Sequence, residues 1–196
     1  TDEGPQPRGK QVKNPNSIWY TPVTGIWQTV WLETVNIGHI ENINPVAGID
    51  NNMISIETGV KDAKEGDQLK IIISEGGNNI AEEIINAGAI AEVKLKDAKR
   101  WSPANPFLYD LKIQLVRNGQ VLDEVGSYFA MRKISLSPDK NGVQRLMLNN
   151  EFLFQFGMLD QGWWPDGLYT AATDEALQYD IVKAREMGFN MLRKHV

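Results

Sequence analysis

The chain has 196 residues, 42% of them hydrophobic and 23% charged, with a formal net charge of −5. That balance belongs to ordinary globular proteins, the length allows one or two domains with a sizeable core, and the acidic excess argues against nucleic acid as a partner. The chain has no cysteine, which excludes disulfides and thiol chemistry but leaves the compartment open. His39 and His195 lie far apart with no cysteine beside them, so neither a metal site nor a cofactor is expected. No apolar run nears the length of a membrane span, and no signal-peptide pattern opens the sequence.

In chain order, residues 1–17 hold three prolines among polar residues and read as an extended or disordered lead-in. Residues 18–35 (IWYTPVTGIWQTVWLETV) alternate Trp27, Thr29 and Trp31 against Gln28, Val30 and Leu32, the chemistry of an aromatic-rich strand. Filling of a core or domain interface is the favoured role for these tryptophans, and stacking on a sugar is the other. Seven short strands are then predicted at 39–46, 53–60, 68–75, 79–86, 89–95, 108–117 and 120–134. The alternation is plainest in Ile54, Ile56, Thr58 and in Leu111, Ile113, Leu115. Asn118-Gly119 marks a hairpin, because a type I′ turn needs positive φ at both central residues. Seven such strands in about a hundred residues predict an immunoglobulin-like β-sandwich. The two prolines of WSPANPFLY, 101–109, bar it from a central strand, so it reads as a crossover. Residues 132–144 read as a bridge, with Pro138, Asn141 and Gly142 turning the chain toward Leu146, Leu148 and an Asn149-Asn150 hairpin.

The run FLFQFGML, 152–159, is dense enough in apolar residues for a strand buried on both faces, as in a parallel sheet. A polar, aromatic loop follows, then Thr173 as N-cap with Asp174 and Glu175 in the first helical turn. Leu177, Ile181, Ala184 and Met187 recur at helical spacing, Gly188 is the stop, and FNMLRKHV is a second strand. This is one βαβ unit, and such units bind ligands at the carboxyl ends of their strands, where the polar clusters 160–166 and 193–195 fall. Two parallel strands leave faces uncovered, so the chain is expected to be the front part of a larger protein, cut inside a domain.

Several segments resemble glycoside hydrolase family 2, the β-galactosidase, β-glucuronidase and β-mannosidase group. TGIWQTVWLE resembles the junction of its jelly-roll and immunoglobulin-like domains, WSPANPFLYDL its proline-rich late sandwich segment, and GSYFAMRKISL its last sandwich strand. LNNEFLFQFGMLDQGWWPDGLYTAATDEALQYDIVKAREMGFNMLRKH resembles the first strand, loop, helix and second strand of its barrel. The resemblance implies a mainly β chain in three parts. These are the tail of an N-terminal sugar-binding-like domain (1–35), an immunoglobulin-like sandwich (36–137) and the truncated start of a (β/α)₈ barrel (138–196).

The activity implied for the parent protein is retaining hydrolysis of β-glycosides, with two glutamates on later barrel strands as nucleophile and acid/base. Neither position is expected within this chain, so no catalytic residue is assigned and the chain alone should not turn over substrate. A non-catalytic carbohydrate-binding or structural sandwich is the alternative. For binding, Asp160 and Gln161 suit vicinal hydroxyls, and Trp163 and Trp164 suit the apolar face of a pyranose. Asn190-Met191-Leu192-Arg193 matches the start of the family's signature, although Lys194 alone separates Arg193 from His195, where two small residues are usual, and Val196 stands in place of tyrosine. The resemblance makes His195 a sugar-hydroxyl ligand and Arg193 the partner of a later carboxylate. An Asp160–Asp166 acid/base pair is rejected, because the family pattern puts its catalytic carboxylates elsewhere. The bare barrel surface predicts self-association or partial disorder.

Overall fold

Alternating apolar residues between 39 and 129 give each strand one face for a core and one for water, and the chain folds them into two sheets. The computed structural model describes residues 4–5 and 9–195. Part of the 1–17 lead-in, and Val196, therefore lie outside the described residues. The chain forms two units, one of residues 33–153 and the other of the described residues within 1–32 and 154–196.

In the first unit, β1 (His39–Gly48), β2 (Met53–Lys61) and β5 (Ala91–Lys94) form a sheet in the order β1-β2-β5. The second sheet has the order β4-β3-β6-β7, built from β3 (Gln68–Glu75), β4 (Asn78–Asn86), β6 (Tyr109–Arg117) and β7 (Gln120–Phe129). All pairs are antiparallel. Leu69, Ile71 and Ile73 of β3 stand opposite Leu115, Ile113 and Leu111 of β6. With Ile54 and Ile56 of β2 they form a fully buried core. Each such side chain contributes about 1.5–3 kcal/mol by leaving water. Asn118 and Gly119 close the β6–β7 hairpin at φ 50° and 75°, the predicted type I′ turn.

Strand β7 stops at Phe129 rather than running to Ile134. Its partner β6 begins at Tyr109, opposite Phe129, because upstream Pro103 and Pro106 have no N–H to extend the ladder. The chain pairs elsewhere at that point: the Trp101 N–H donates to the Met131 carbonyl at 3.0 Å. Residues 132–144 are not a plain bridge. They contain β8 (Ile134–Pro138), which joins β9 (Gln144–Leu148) and β10 (Glu151–Phe152) in an antiparallel meander. Asn149 and Asn150, at φ 54° and 69°, make the predicted second hairpin.

In the other unit, β11 (Gly157–Asp160) and β12 (Met191–Lys194) pair in parallel on either side of α1 (Asp174–Glu186). The helix begins as predicted, with Thr173 Oγ1 accepting from the Ala176 N–H at 3.2 Å. It ends at Gly188, φ +87°, whose N–H donates to the Arg185 carbonyl while the Phe189 N–H donates to that of Ala184. These two crossed bonds are a Schellman stop, which needs a residue in the left-handed region. No helix among the described residues is long and apolar enough to cross a membrane.

Two expectations fail, at 152–159 and at 18–35. The run 152–159 is not one buried strand: its first residue pairs back with β9, Gly157 to Asp160 pair with β12, and Phe154, Phe156 and Leu159 are exposed. One apolar run serves two sheets, and a two-stranded sheet covers neither of its faces. Helix α1 does form over the expected residues; of its apolar stripe only Ala184 is buried, while Leu177, Ile181 and Met187 are exposed. The stretch 18–35 forms no strand among the described residues, and Trp27 and Trp31, 52% and 75% exposed, fill no core. Its alternation is real, but a strand also requires a continuous ladder, and among the described residues this stretch pairs only at Tyr20, in a single parallel bridge with Gln11.

The first unit also carries a buried ion pair. Asp67, 2% exposed, accepts from Arg117 Nε and Nη2 at 2.7 Å each and from the Lys64 N–H at 2.8 Å. Those hydrogen bonds, Arg117 first, hold its carboxyl down at about 2 against the opposing effect of burial. A folded-state value below the ordinary 3.8 means that the folded chain binds fewer protons than the unfolded one between those limits. The resulting stability is fully present above pH ~4 and is lost as pH falls through about 2. Urea midpoints of the wild type and Asp67→Asn should therefore differ at neutral pH and converge between pH ~4 and ~2; a gap that stays constant would refute the assignment.

Candidate functional site

Parallel pairing brings the carboxyl ends of β11 and β12 together, with Asp160 directly opposite Lys194. Lys194 Nζ donates to Asp160 Oδ2 at 2.9 Å, the Gly162 N–H donates to Oδ1 at 2.8 Å, and the His195 N–H donates to the Asp160 carbonyl at 2.8 Å. The Lys194 hydrogen bond is the main reason the Asp160 carboxyl sits below its ordinary range; the Gly162 N–H adds to it and burial opposes it. Gly162, at φ +61°, makes the turn, and a side chain there would run into the Lys194 ammonium.

Beyond Asp160 the loop is pinned by rings and amides. Gln161 Oε1 accepts from the Tyr20 hydroxyl at 2.5 Å, a length typical of O–H···O rather than N–H···O. This orients the carboxamide with its NH₂ group as the remaining donor. Trp163 stacks on Tyr20 at 4.6 Å and 19°, and meets Tyr169 edge-on at 5.2 Å. Tyr169 in turn lies 5.5 Å from Trp27. The Trp164 N–H and carbonyl bond the carbonyl and N–H of Leu168 at 2.8 and 3.1 Å. That closure holds Leu168 at φ +55°, a left-handed conformation costing roughly 1–3 kcal/mol for a residue with a side chain.

Tyr20, Asp160, Gln161, Trp163 and Trp164 line a cavity of about 360 Å³, with Asp180 of α1 on its wall. The volume suits a small ligand. Two wider hollows on the sandwich, about 590 and 620 Å³, share Tyr128 in their linings, and neither brings a tryptophan together with a carboxylate. Of the six residues singled out from sequence, four line the smaller cavity. Arg193 and His195 do not: Arg193 lies within β12 with its side chain exposed, and His195 contributes its main-chain bond to Asp160. Asp166 accepts from the Gly167 N–H at 3.0 Å within a turn. Among the described residues no cluster of His, Cys, Asp or Glu could hold a metal ion.

Sequence reasoning missed Tyr20, Tyr169, Asp180 and Lys194. Lys194 carried a usable signal, since it ends the second strand as Asp160 ends the first. Tyr20 carried none, because its partner Gln161 is 141 positions away.

Residues 45–132 match the family model of glycosyl hydrolases family 2. The chain is 26% identical over 189 residues to a Formosa agariphila protein provisionally named a beta-glucuronidase, covering 91% of this chain and 18% of that protein. It is 24% identical over 125 residues to a beta-galactosidase of Thermoanaerobacter pseudethanolicus, covering 59% of this chain and 17% of that one. The chain thus spans about a fifth of the length of the curated relatives it matches. The crystal structure of a beta-glycosidase from Bacteroides vulgatus has the same fold, with a TM-score of 0.77 at 23% identity over 90% of this chain and 23% of that chain.

Since Lys194 is the main cause of the lowered Asp160 carboxyl, Lys194→Ala should raise the Asp160 titration midpoint toward the ordinary carboxylate range. Carboxyl ¹³C shifts followed against pH measure this, and an unmoved midpoint would show that the Gly162 N–H dominates instead.

Proposed function

We propose that this protein, whose residues 45–132 match the family model of glycosyl hydrolases family 2, is part of a retaining β-glycosidase, with residues 138–196 opening its catalytic (β/α)₈ barrel. The parallel β11–α1–β12 arrangement supports the barrel reading, because parallel strands joined by a helix are the repeating unit of that fold. Residues 1–35 then belong to a preceding sugar-binding-like domain and 36–137 to the sandwich.

The observation that carries the sugar-binding reading is the cavity at the carboxyl ends of the two strands. It joins a carboxylate, a carboxamide and indole rings within one hollow. Sugars present hydroxyl groups around their edges and weakly polar C–H faces, so they call for both kinds of surface. In this role the Gln161 NH₂ donates to a ring hydroxyl, Asp160 accepts from one, and the indoles of Trp163 and Trp164 cover an apolar face. Arg193 pairs with a carboxylate from a later strand, and His195 bonds a hydroxyl at the rim.

In the retaining mechanism one carboxylate attacks the anomeric carbon to form a glycosyl-enzyme. A second protonates the leaving oxygen and then activates water. Both belong to glutamates on later barrel strands, so this chain binds and orients without performing either step. The relatives' names point to glucuronides and galactosides as the first substrates to try.

The decisive assay uses p-nitrophenyl β-glucuronide, β-galactoside and β-mannoside, with the 196-residue chain and the gene product that contains it tested side by side. The gene product should release nitrophenol from at least one substrate, and the 196-residue chain from none. Silence from the gene product on all three would sink the glycosidase reading, and turnover by the chain alone would misplace the carboxylates. The exposed Phe154, Phe156, Leu177 and Ile181 also favour self-association of the isolated chain. Its sedimentation coefficient should rise with concentration, and a monomer throughout would argue against this.

A further inference from the structure

Asn190 has no part in the site described above, yet its side chain makes two hydrogen bonds to the main chain leading into β11. Nδ2 donates to the Phe154 carbonyl at 2.9 Å, and Oδ1 accepts from the Phe156 N–H at 2.9 Å. The Asn190 N–H itself donates to the Phe156 carbonyl, also at 2.9 Å. In a parallel ladder, a strand residue bonds the carbonyl before its opposite number and the N–H after it. The Asn190 carboxamide does this around Gln155, standing where the main chain of one more β12 residue would be.

The main chain cannot fill that place itself. Counting back from the Gly157–Met191 pair, the residue opposite Gln155 would be Phe189. The Phe189 N–H is already given to the Ala184 carbonyl in the helix stop. The α1 stop and the β12 start thus compete for one residue, and the Asn190 side chain resolves the conflict.

We propose that Asn190 is a positioning residue that holds β11 and β12 in register and so places Lys194 against Asp160 at the cavity. The pairing is only four residues long and its side chains are mostly exposed, so burial does little to specify it. A slip of two residues would carry Lys194 about 7 Å from its place opposite Asp160. Gly157 disfavours both such slips. A Cβ at its position would lie 2.5 Å from the Met191 carbonyl oxygen, and either slip puts a residue with a side chain, Gln155 or Leu159, opposite Met191. Gly157 penalises the wrong registers, and Asn190 adds two bonds to the right one. This assignment holds whether or not the cavity binds a sugar.

The test is the Asp160 carboxyl titration in the full chain, its ¹³C resonance identified by loss in Asp160→Asn. Asn190→Ala should raise the midpoint by at least half the rise produced by Lys194→Ala, although the lysine is still present, with helicity retained. Asn190→Asp keeps the acceptor for the Phe156 N–H and loses the donor to Phe154, so its rise should be smaller. Met191→Ala trims the adjoining side chain without touching a rung and should produce none. A wild-type midpoint in either Asn190 variant that folds, or an equal rise in Met191→Ala, would overturn the proposal. In the unsubstituted chain the Asn190 carboxamide proton given to the Phe154 carbonyl should exchange more slowly with solvent than that of a free amide. Exchange at the rate of a free amide would overturn it whatever the variants do.

Discussion

The short parallel pairing of β11 with β12 is the constraint on which the candidate site depends. It takes two residues 34 positions apart, Asp160 and Lys194, and sets them 2.9 Å from each other at one end of a two-stranded sheet. The other contacts of the site follow from where that pair stands. The carboxylate, held charged by the ammonium, accepts from the Gly162 N–H and so turns the chain into the loop. That loop brings Gln161 and Trp163 to Tyr20. The pair is exposed enough that its own energy is small. Its importance is geometric, and the strength comes from main-chain bonds around it.

The two units achieve order by different means. The sandwich relies on apolar burial: side chains from β2, β3, β5 and β6 meet in one continuous core. Its one buried ion pair, Asp67 with Arg117, is fully hydrogen-bonded on the carboxylate side, which makes burial of the charge tolerable. The unit holding the cavity buries far less, with Ala184 the one buried residue of α1. Its order rests on directional contacts instead: the Thr173 cap, the Schellman stop at Gly188, the Asn190 rungs, the Trp164–Leu168 closure and the ring contacts from Tyr20 through Trp163 to Tyr169. Each of these is satisfied by partners within the unit.

What was readable in advance divides along the same line. The sandwich strands were legible because alternation reports a two-faced environment, and each of the seven starts within two residues of its expected position. The type I′ hairpins at Asn118-Gly119 and Asn149-Asn150 were legible because few residues tolerate positive φ. The helix was legible at both ends for the same local reasons, through a hydroxyl cap and a glycine stop. Residues 18–35 and 152–159 misled because aromatic density reports only a wish to be covered. It does not say by what: in one stretch Tyr20 and Trp27 meet rings of the distant loop instead of a neighbouring strand, and the other stretch is divided between two sheets.

The sequence by itself determined what depends on near neighbours along the chain: strand and helix positions, turn types, and the polar and aromatic residues at a strand's carboxyl end that pointed to Asp160, Gln161, Trp163 and Trp164. Only the tertiary structure decided which distant groups complete the cavity. Tyr20 reaches Gln161 across 141 positions, and Lys194 faces Asp160 through strand register. Such contacts are set by how segments pack, and a tyrosine or lysine that makes one looks the same in sequence as one that makes none. The register in turn depends on a conflict between a helix stop and a strand start, which is visible only once both claim the main chain of Phe189.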